Sequence, residues 1–458
     1  MKFSFCRFLV TLFIILIPAS CSSSRFAHKE KKDVSPYEYG LAIAKTGVDR
    51  YNVLLKTHQA AVAKGVNVDY SGIYSIDLEI PRNAMSIPLT AVNDFKGTTF
   101  RVINTNRNFA LFESKNQMKS ISVNAAQIDN GNFQSNNQLR KGKYILSISD
   151  SRPWVEQRKG YSYGAVRKDI LLIENGKSKN KPVANYNNRY SQPEAKFCPV
   201  DEGIVVKNLT LVRNDASTEK TFLFIIEGKN EVHIKNVTIE TPESDLTGDR
   251  AISVSNSTNV RMEDVTINGT YSLSNKYGYG ISLDNVWNVT FTRLVADGKW
   301  GVFGNKNVSN CTLDDCRMNR FDIHCYGKDV FLNNCKFYKL YNQFSSVYGK
   351  VAFNKCEFRD FVPVLIETSY NAYTEFDLTF NDCIFYTTKD KNYLINTGSL
   401  SGENNSRHEL SVKKLPKVHV NNLKAISLET GKEENEVQIF LNRGRFIKER
   451  KIKNVLKL

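Results

Sequence analysis

Apolar and polar residues alternate along most of this chain, and in its second half the alternation settles into a recurring six-residue phrase. The phrase occurs as Val260-Arg-Met-Glu-Asp-Val265, Val289-Thr-Phe-Thr-Arg-Leu294, Cys311-Thr-Leu-Asp-Asp-Cys316, Val330-Phe-Leu-Asn-Asn-Cys335, Val351-Ala-Phe-Asn-Lys-Cys356 and Leu378-Thr-Phe-Asn-Asp-Cys383. Its last residue advances by 29, 22, 19, 21 and 27 positions. A phrase returning about every 20 residues marks stacked units, each too small to bury its own apolar face. Period-two alternation broken by Asn, Asp and Gly makes those units strands and turns rather than helices. The pattern predicts an all-β, right-handed parallel β-helix, each turn laid on the one before.

One stretch has helical spacing instead. Over residues 46–64, Val48, Tyr51, Leu54, Leu55, His58 and Val62 recur at intervals of three and four, and Gly65 stops the run. An amphipathic helix ahead of a solenoid is read as the cap over its first coil, with His58 a packed residue rather than a ligand. Strands follow at Val68–Ile80 and Thr98–Ile103. Residues 140–202 read as an irregular insertion, either a binding flap or a decorated structural loop; it carries Arg152, Arg158, Tyr161, Tyr163, Arg167 and Lys168. Regular coils are expected over 205–390. Terminal coils and a cap fill 391–458, with strands at Lys417–Ser427 and Glu436–Leu441. Residues 36–458 thus form a single domain.

Composition changes the picture at the N-terminus. Lys2 and Arg7 precede an apolar run from Phe8 to Ile17, too short to span a bilayer, and Ala19-Ser20 lead into Cys21. Residues 1–20 read as a signal peptide, and residues 21–35 as a lipidated Cys21 followed by a flexible tether. Small residues before Cys resemble a bacterial lipobox; the alternative is an ordinary signal peptide with an incidental Cys. The expectation is an exported outer membrane lipoprotein, with the periplasmic or surface face left open. Net charge is +16, and loss of Lys2 and Arg7 leaves 61 basic against 47 acidic residues, or +14. Such a balance points to polyanionic partners. An acidic polysaccharide fits an exported chain, and no nucleic-acid-binding motif is present. A monomer is expected. Cys316, Cys335 and Cys356 share one apolar phrase position and read as an inward column of small hydrophobes, with a disulfide or metal role as the lesser alternatives. No metal site is spaced for, and no cofactor is indicated.

The candidate chemistry lies on the strand ahead of the phrases. In Arg320-Phe-Asp-Ile-His-Cys-Tyr326, alternation sends Phe321, Ile323 and Cys325 inward and Arg320, Asp322, His324 and Tyr326 outward. An interval of 21 aligns Gly280, Gly301, Asp322, Gln343 and Val364, which sets Lys299 and Tyr341 beside Arg320 and Gln343 beside Asp322. One outward patch would then hold cations, a histidine, a carboxylate and phenols.

The capping helix, the coil phrase and the Asn and Cys ladders resemble the pectin-lyase-like right-handed parallel β-helix superfamily, here in an exported, Bacteroidetes-like lipoprotein form. The resemblance implies the fold and a link to glycans; its members include polysaccharide lyases, hydrolases, depolymerases and non-catalytic adhesins, some of which use calcium. Asp314-Asp315 matches the paired Asp of the polygalacturonase branch, but the same positions hold Asn333-Asn334 and Asn354-Lys355 in neighbouring coils, so turn residues are the preferred reading. A lyase acting by β-elimination on a uronic-acid polysaccharide is favoured. Arg320 and Lys299 would neutralise the uronate, His324 or Tyr341 would take the proton, and Asp322 would orient the base. Tyr326, Gln343, Arg152, Arg158, Tyr161 and Tyr163 would contact the glycan. The alternatives are a β-helix hydrolase, for which Asp322 lacks an acid partner within one coil and Asp284 lies two coils away, and a non-catalytic glycan-binding envelope protein.

Overall fold

In the computed structural model, residues 32–104, 109–151, 166–183, 185–187, 191–213, 221–240, 250–268, 272–273, 276–277, 279–296, 300–324, 326–338, 342–344, 347–359, 362–366, 376–396, 415–441 and 455–458 are described. The phrases stack in register. Val260 pairs with Val289, then Cys311, Val330, Val351, Leu378 and Val418, every step parallel. A second ladder runs through Ile281, Val302 and Phe321 and continues from Asp322 and Ile323 to Gln343 and Phe344. A third, made of two- and three-residue strands, runs through Val295, Arg317, Lys336 and Glu357. The chain is the parallel β-helix expected from its periodicity. Its lumen is one continuous apolar core reaching from Val34 to Phe440.

The corners explain the phrase. Its fifth residue has left-handed backbone in every coil, with φ of 53° at Asp264 and Arg293, 55° at Asp315, 52° at Asn334, 54° at Lys355 and 52° at Asp382. Asn and Asp tolerate that region better than other non-glycine residues, because a short polar side chain bonds locally. The fourth residue builds a ladder. Asn333 donates to Asp314 at 2.8 Å, Asn354 to Asn333 at 2.7 Å, Asn381 to Asn354 at 2.6 Å and Asn421 to Asn381 at 2.8 Å. Asp314 and Asp315 are therefore corner residues, as their repeat position implied. The sixth residue points inward: Cys316, Cys335, Cys356 and Cys383 are buried free thiols in one column.

The cap helix spans Gly47–Lys64, opened by a Thr46–Asp49 capping box and closed by Gly65 at φ 62°. Tyr51, Leu54, Leu55 and His58 are buried as expected, with Thr57 and Ala61 beside them, but Val62 faces solvent. His58 is packed. Nδ1 lies 2.9 Å from the Pro88 carbonyl and Nε2 2.7 Å from the Tyr70 hydroxyl, and burial lowers its pKa to about 4. At the other end, Lys417–Ser427 and Glu436–Leu441 are the expected strands, and Tyr393–Asn396 adds one more.

Over its described residues the insertion is a regular sheet. A five-stranded antiparallel sheet is built from Lys119–Ile121, Lys143–Asp150, Lys168–Glu174, Lys177–Ser178 and Pro193–Pro199, so it starts about 20 residues earlier than expected. It has a separate core of Ile128, Phe133, Leu139, Leu146, Ile148, Leu171, Ile173, Tyr186, Ala195 and Phe197. The opposite face presents Ile145, Ile170 and Cys198, packed with Met118, Val200 and the coil residue Trp287. Apolar residues on both faces hide the period-two signal, which is why the sheet escapes a reading by alternation.

Candidate functional site

The strand carrying the candidate residues is Phe321–His324. Phe321 and Ile323 enter the lumen core, so the neighbouring Arg320, Asp322 and His324 face away from it, as alternation predicts. Facing away does not mean exposed. Arg320 is 1% exposed, Asp322 0% and His324 8%, which corrects the expected solvent-facing patch. The register also differs. Asp322 pairs with Phe303 rather than Gly301, and His324 with Asn305, because this coil advances 19 residues from Val302 to Phe321. Gly301 lies against Arg320, where an added Cβ would come within 2.2 Å of the Arg320 carbonyl oxygen. The shortening was legible, since the phrases at Val330 and Cys311 are also 19 apart. On the other side, Gln343 pairs with Asp322 as expected, but the next coil offers Leu365 rather than Val364.

Asp322 is the hub. Arg320 grips it with two nitrogens, Nε to Oδ1 at 2.6 Å and Nη2 to Oδ2 at 2.5 Å, and Nη2 also donates to Gln343 Oε1 at 2.6 Å. The Gln343 backbone N–H donates to Oδ1 at 3.1 Å, and the Tyr279 hydroxyl donates to Oδ2. Burial works against the Asp322 charge, but Arg320 and His324 outweigh it, so the carboxyl stays below the ordinary Asp range. His324 Nε2 lies 3.6 Å from Asp322 Oδ2 and 3.4 Å from the Tyr279 hydroxyl, the two rings edge to face. The arrangement holds an ionised carboxylate behind an imidazole that has a phenol at its side. Such a carboxylate fixes the imidazole and stabilises it when protonated. Arg320 and Gln343, by contrast, are turned to Asp322 and to each other, which corrects the expectation that they face a substrate. Tyr279 was missed; its position directly before the aligned Gly280 was the available signal.

Tyr326 belongs to the seam with the insertion rather than to this patch. Fully buried at φ 139°, it donates its hydroxyl to the Lys168 carbonyl and to Asp169 Oδ2, 2.6 Å away. Asp169 also accepts from the Tyr186 hydroxyl at 2.9 Å and the Val183 amide at 2.9 Å, while Arg167 stacks on the Tyr186 ring at 3.6 Å. Tyr326 therefore cannot serve as the expected glycan contact. Lys168 reaches across the seam to Asp284 Oδ1 at 3.4 Å, and Lys306 lies 4.0 Å from Asp284 Oδ2. Beside Lys168 opens a groove of about 1000 Å³ between sheet and coils, lined among others by Lys115, Asn116, Ser147, Lys196 and Asn256. Lys299, Tyr341, Arg152, Arg158, Tyr161, Tyr163 and Cys21 lie outside the described residues. Among the described residues, no three His, Cys, Asp or Glu side chains are grouped to hold a metal ion, and no helix is long and apolar enough to cross a membrane.

No protein-family model matches the chain, and no curated protein sequence matches it. Solved structures do. The chain is similar to the tailspike protein gp49 from Pseudomonas phage LKA1, with a TM-score of 0.49 and 13% identity over 86% of this chain and 78% of that one. It is also similar to the Gp54 tailspike of Acinetobacter baumannii bacteriophage AP22, solved with a capsular saccharide, with a TM-score of 0.32 and 9% identity over 90% and 76%. A third is PfbA, a surface adhesin of Streptococcus pneumoniae, with a TM-score of 0.35 and 10% identity over 86% and 90%. At these scores the fold rests on the strand ladders themselves, and activity must be argued from the site.

Proposed function

We propose that the protein is a polysaccharide lyase that cleaves an acidic, uronic-acid-containing polysaccharide by β-elimination. The observation that carries this reading is the His324–Tyr279 pair, backed by an ionised Asp322 that Arg320 holds in place. In the reaction the base takes the proton α to the uronate carboxylate, the C4–C5 double bond forms, and the C4–O bond breaks with its electron pair leaving on oxygen. Nε2 is the His324 nitrogen turned toward Asp322 and Tyr279, and the imidazole ring is assigned the proton transfer. Tyr279 and Asp322 steady the resulting imidazolium, and Arg320 acts through Asp322 as a positioning residue. A two-carboxylate hydrolase is disfavoured, because Asp322 is filled by Arg320, Tyr279 and the Gln343 amide.

The test is incubation with a panel of uronate polysaccharides while following the ultraviolet absorbance of an unsaturated uronate. His324→Ala should lower kcat about 100-fold or more with little change in binding, as expected for a base that acts in the transition state. If no panel member yields an unsaturated product yet an acidic glycan binds, the protein is a glycan-binding envelope protein instead. We also propose lipidation at Cys21 and residence at the outer membrane. Metabolic labelling with a fatty acid should mark the wild type and not Cys21→Ala; equal labelling of both refutes the anchor.

A further inference from the structure

A glycan with a carboxylate on successive sugars needs cations along its path, and Arg320 is committed to Asp322 and Gln343 inside the fold. Ladder register shows where another cation lies. Asp284, Asn305 and His324 occupy one row on three successive coils, so Asp284 sits two ladder steps, or about 10 Å, from His324. Around Asp284 stand two partly exposed ammonium groups from different parts of the fold. Lys306 follows Asn305 on the coil, and Lys168 belongs to the insertion sheet. Lys168 is fixed by the same strand region that carries His324, because Tyr326 bonds its carbonyl. It also forms part of the wall of the polar groove between sheet and coils. A carboxylate held between two lysines about 10 Å from the candidate base is the local environment that a uronate at a neighbouring position of the same glycan would need, since the sugar that loses its proton carries its carboxylate next to the base. In this structure Asp284 supplies that carboxylate from within the chain.

We infer that an acidic glycan lies along the seam between the antiparallel sheet and the coils, with Lys168 and Lys306 taking a uronate carboxylate in competition with Asp284. The inference rests on the lyase reading for its placement beside His324, but it makes an independent claim about binding. The groove wall adds ammonium groups from Lys196 and from Lys115, which is paired with Glu113, beside the carboxylates of Glu194 and Glu227 and the internally bonded Asn116, Ser147 and Asn256. Ser147 and Asn256 are preset by a hydrogen bond of 2.9 Å across the seam. At about 1000 Å³ the groove is at the upper end of ligand-site size, suited to an oligosaccharide more than to a single sugar.

The experiment measures the Kd of oligogalacturonate and oligoalginate by calorimetry, each against its carboxyl-reduced counterpart, alongside any elimination. The expected result is tighter binding of at least one acidic oligomer than of its reduced form, weakened about tenfold or more by Lys168→Ala and by Lys306→Ala, as for loss of a charged hydrogen bond. Lys168→Arg should keep most of the affinity, and Asp284→Asn should strengthen binding by removing the competing carboxylate. That opposite sign separates a competing anion from a merely structural ion pair. Circular dichroism and a thermal melt establish that each variant is folded. Elimination that proceeds with Kd and KM unchanged in all four variants overturns the seam and leaves the lyase reading standing. Binding that responds as expected without any unsaturated product overturns the lyase reading and leaves the seam standing. A wild-type chain that binds neither acidic oligomer, or binds the reduced forms equally well, overturns the seam outright.

Discussion

Asp322 makes sense as a charge because every neighbour treats it as one. Two guanidinium nitrogens, a backbone amide and a phenol converge on a carboxylate with no exposed surface. Removing one partner of a buried ion pair leaves the other uncompensated, so Arg320→Ala should lose about 3–5 kcal/mol of stability in a urea melt. An unchanged melt would mean that Asp322 is protonated or reached by water. The folded pKa of Asp322 is depressed, so its contribution is present above the ordinary Asp range and is lost as pH falls through the folded value. His58 behaves differently. Its folded pKa of about 4 lies below the 6.5 of an ordinary histidine, so the unfolded chain binds the proton first. Stability from this group is full above 6.5 and falls as pH drops from 6.5 to 4, by about 3 kcal/mol at most. His58→Gln, which keeps polar atoms toward Pro88 and Tyr70 but cannot titrate, should flatten the stability profile in that window. A profile that keeps its wild-type slope there assigns the slope to other groups.

Single strands and corners were the most legible parts of the sequence. The phrase gave its inward and outward positions correctly because one face of each strand meets an apolar lumen, and that asymmetry is written as period two. The left-handed corner was legible as Asn and Asp, with Arg293 and Lys355 as its two exceptions. Lys355 stands at φ 54° where neighbouring coils place Asn334 and Asp382. Lys355→Asn should therefore stabilise the chain by about 1 kcal/mol, by relieving a backbone strain that Asn tolerates better. A lower melting temperature would instead show that the lysine stem packs usefully. The site was half legible. Alternation found Arg320, Asp322 and His324, but a uniform interval of 21 misplaced their neighbours, because one coil is two residues short. Their burial was not legible at all. It depends on side chains from other coils, Tyr279 among them, and outward residues look alike in sequence whether solvent or protein covers them.

At the scale of the molecule, the main departure from a plain solenoid is the antiparallel sheet laid on the coils. Its attachment combines an apolar contact around Trp287 with the bonds from Tyr326 to Lys168 and Asp169. Tyr326→Phe should loosen the attachment while sparing the coils. Hydrogen exchange should then quicken over Lys143–Asp150 and Lys168–Glu174 and stay slow over Gly327–Asn333; uniform quickening would make Tyr326 a core residue of the whole fold. Charge is also a whole-molecule property. At +16 for the full sequence, binding to an acidic polysaccharide should weaken steeply from low to moderate salt, and a neutral glycan bound without salt dependence would remove the polyanion argument. The thiol column, finally, makes the solenoid a recorder of its own opening. Cys316, Cys335, Cys356 and Cys383 sit on four successive coils and are shut away from any reagent while those coils are closed. Each can be alkylated only when its own coil parts from the lumen, so four labelling rates form a clock read along the axis. Rates that rise from Cys316 to Cys383 would describe a stack that peels from its far end, whereas four equal rates would describe one that lets go all at once.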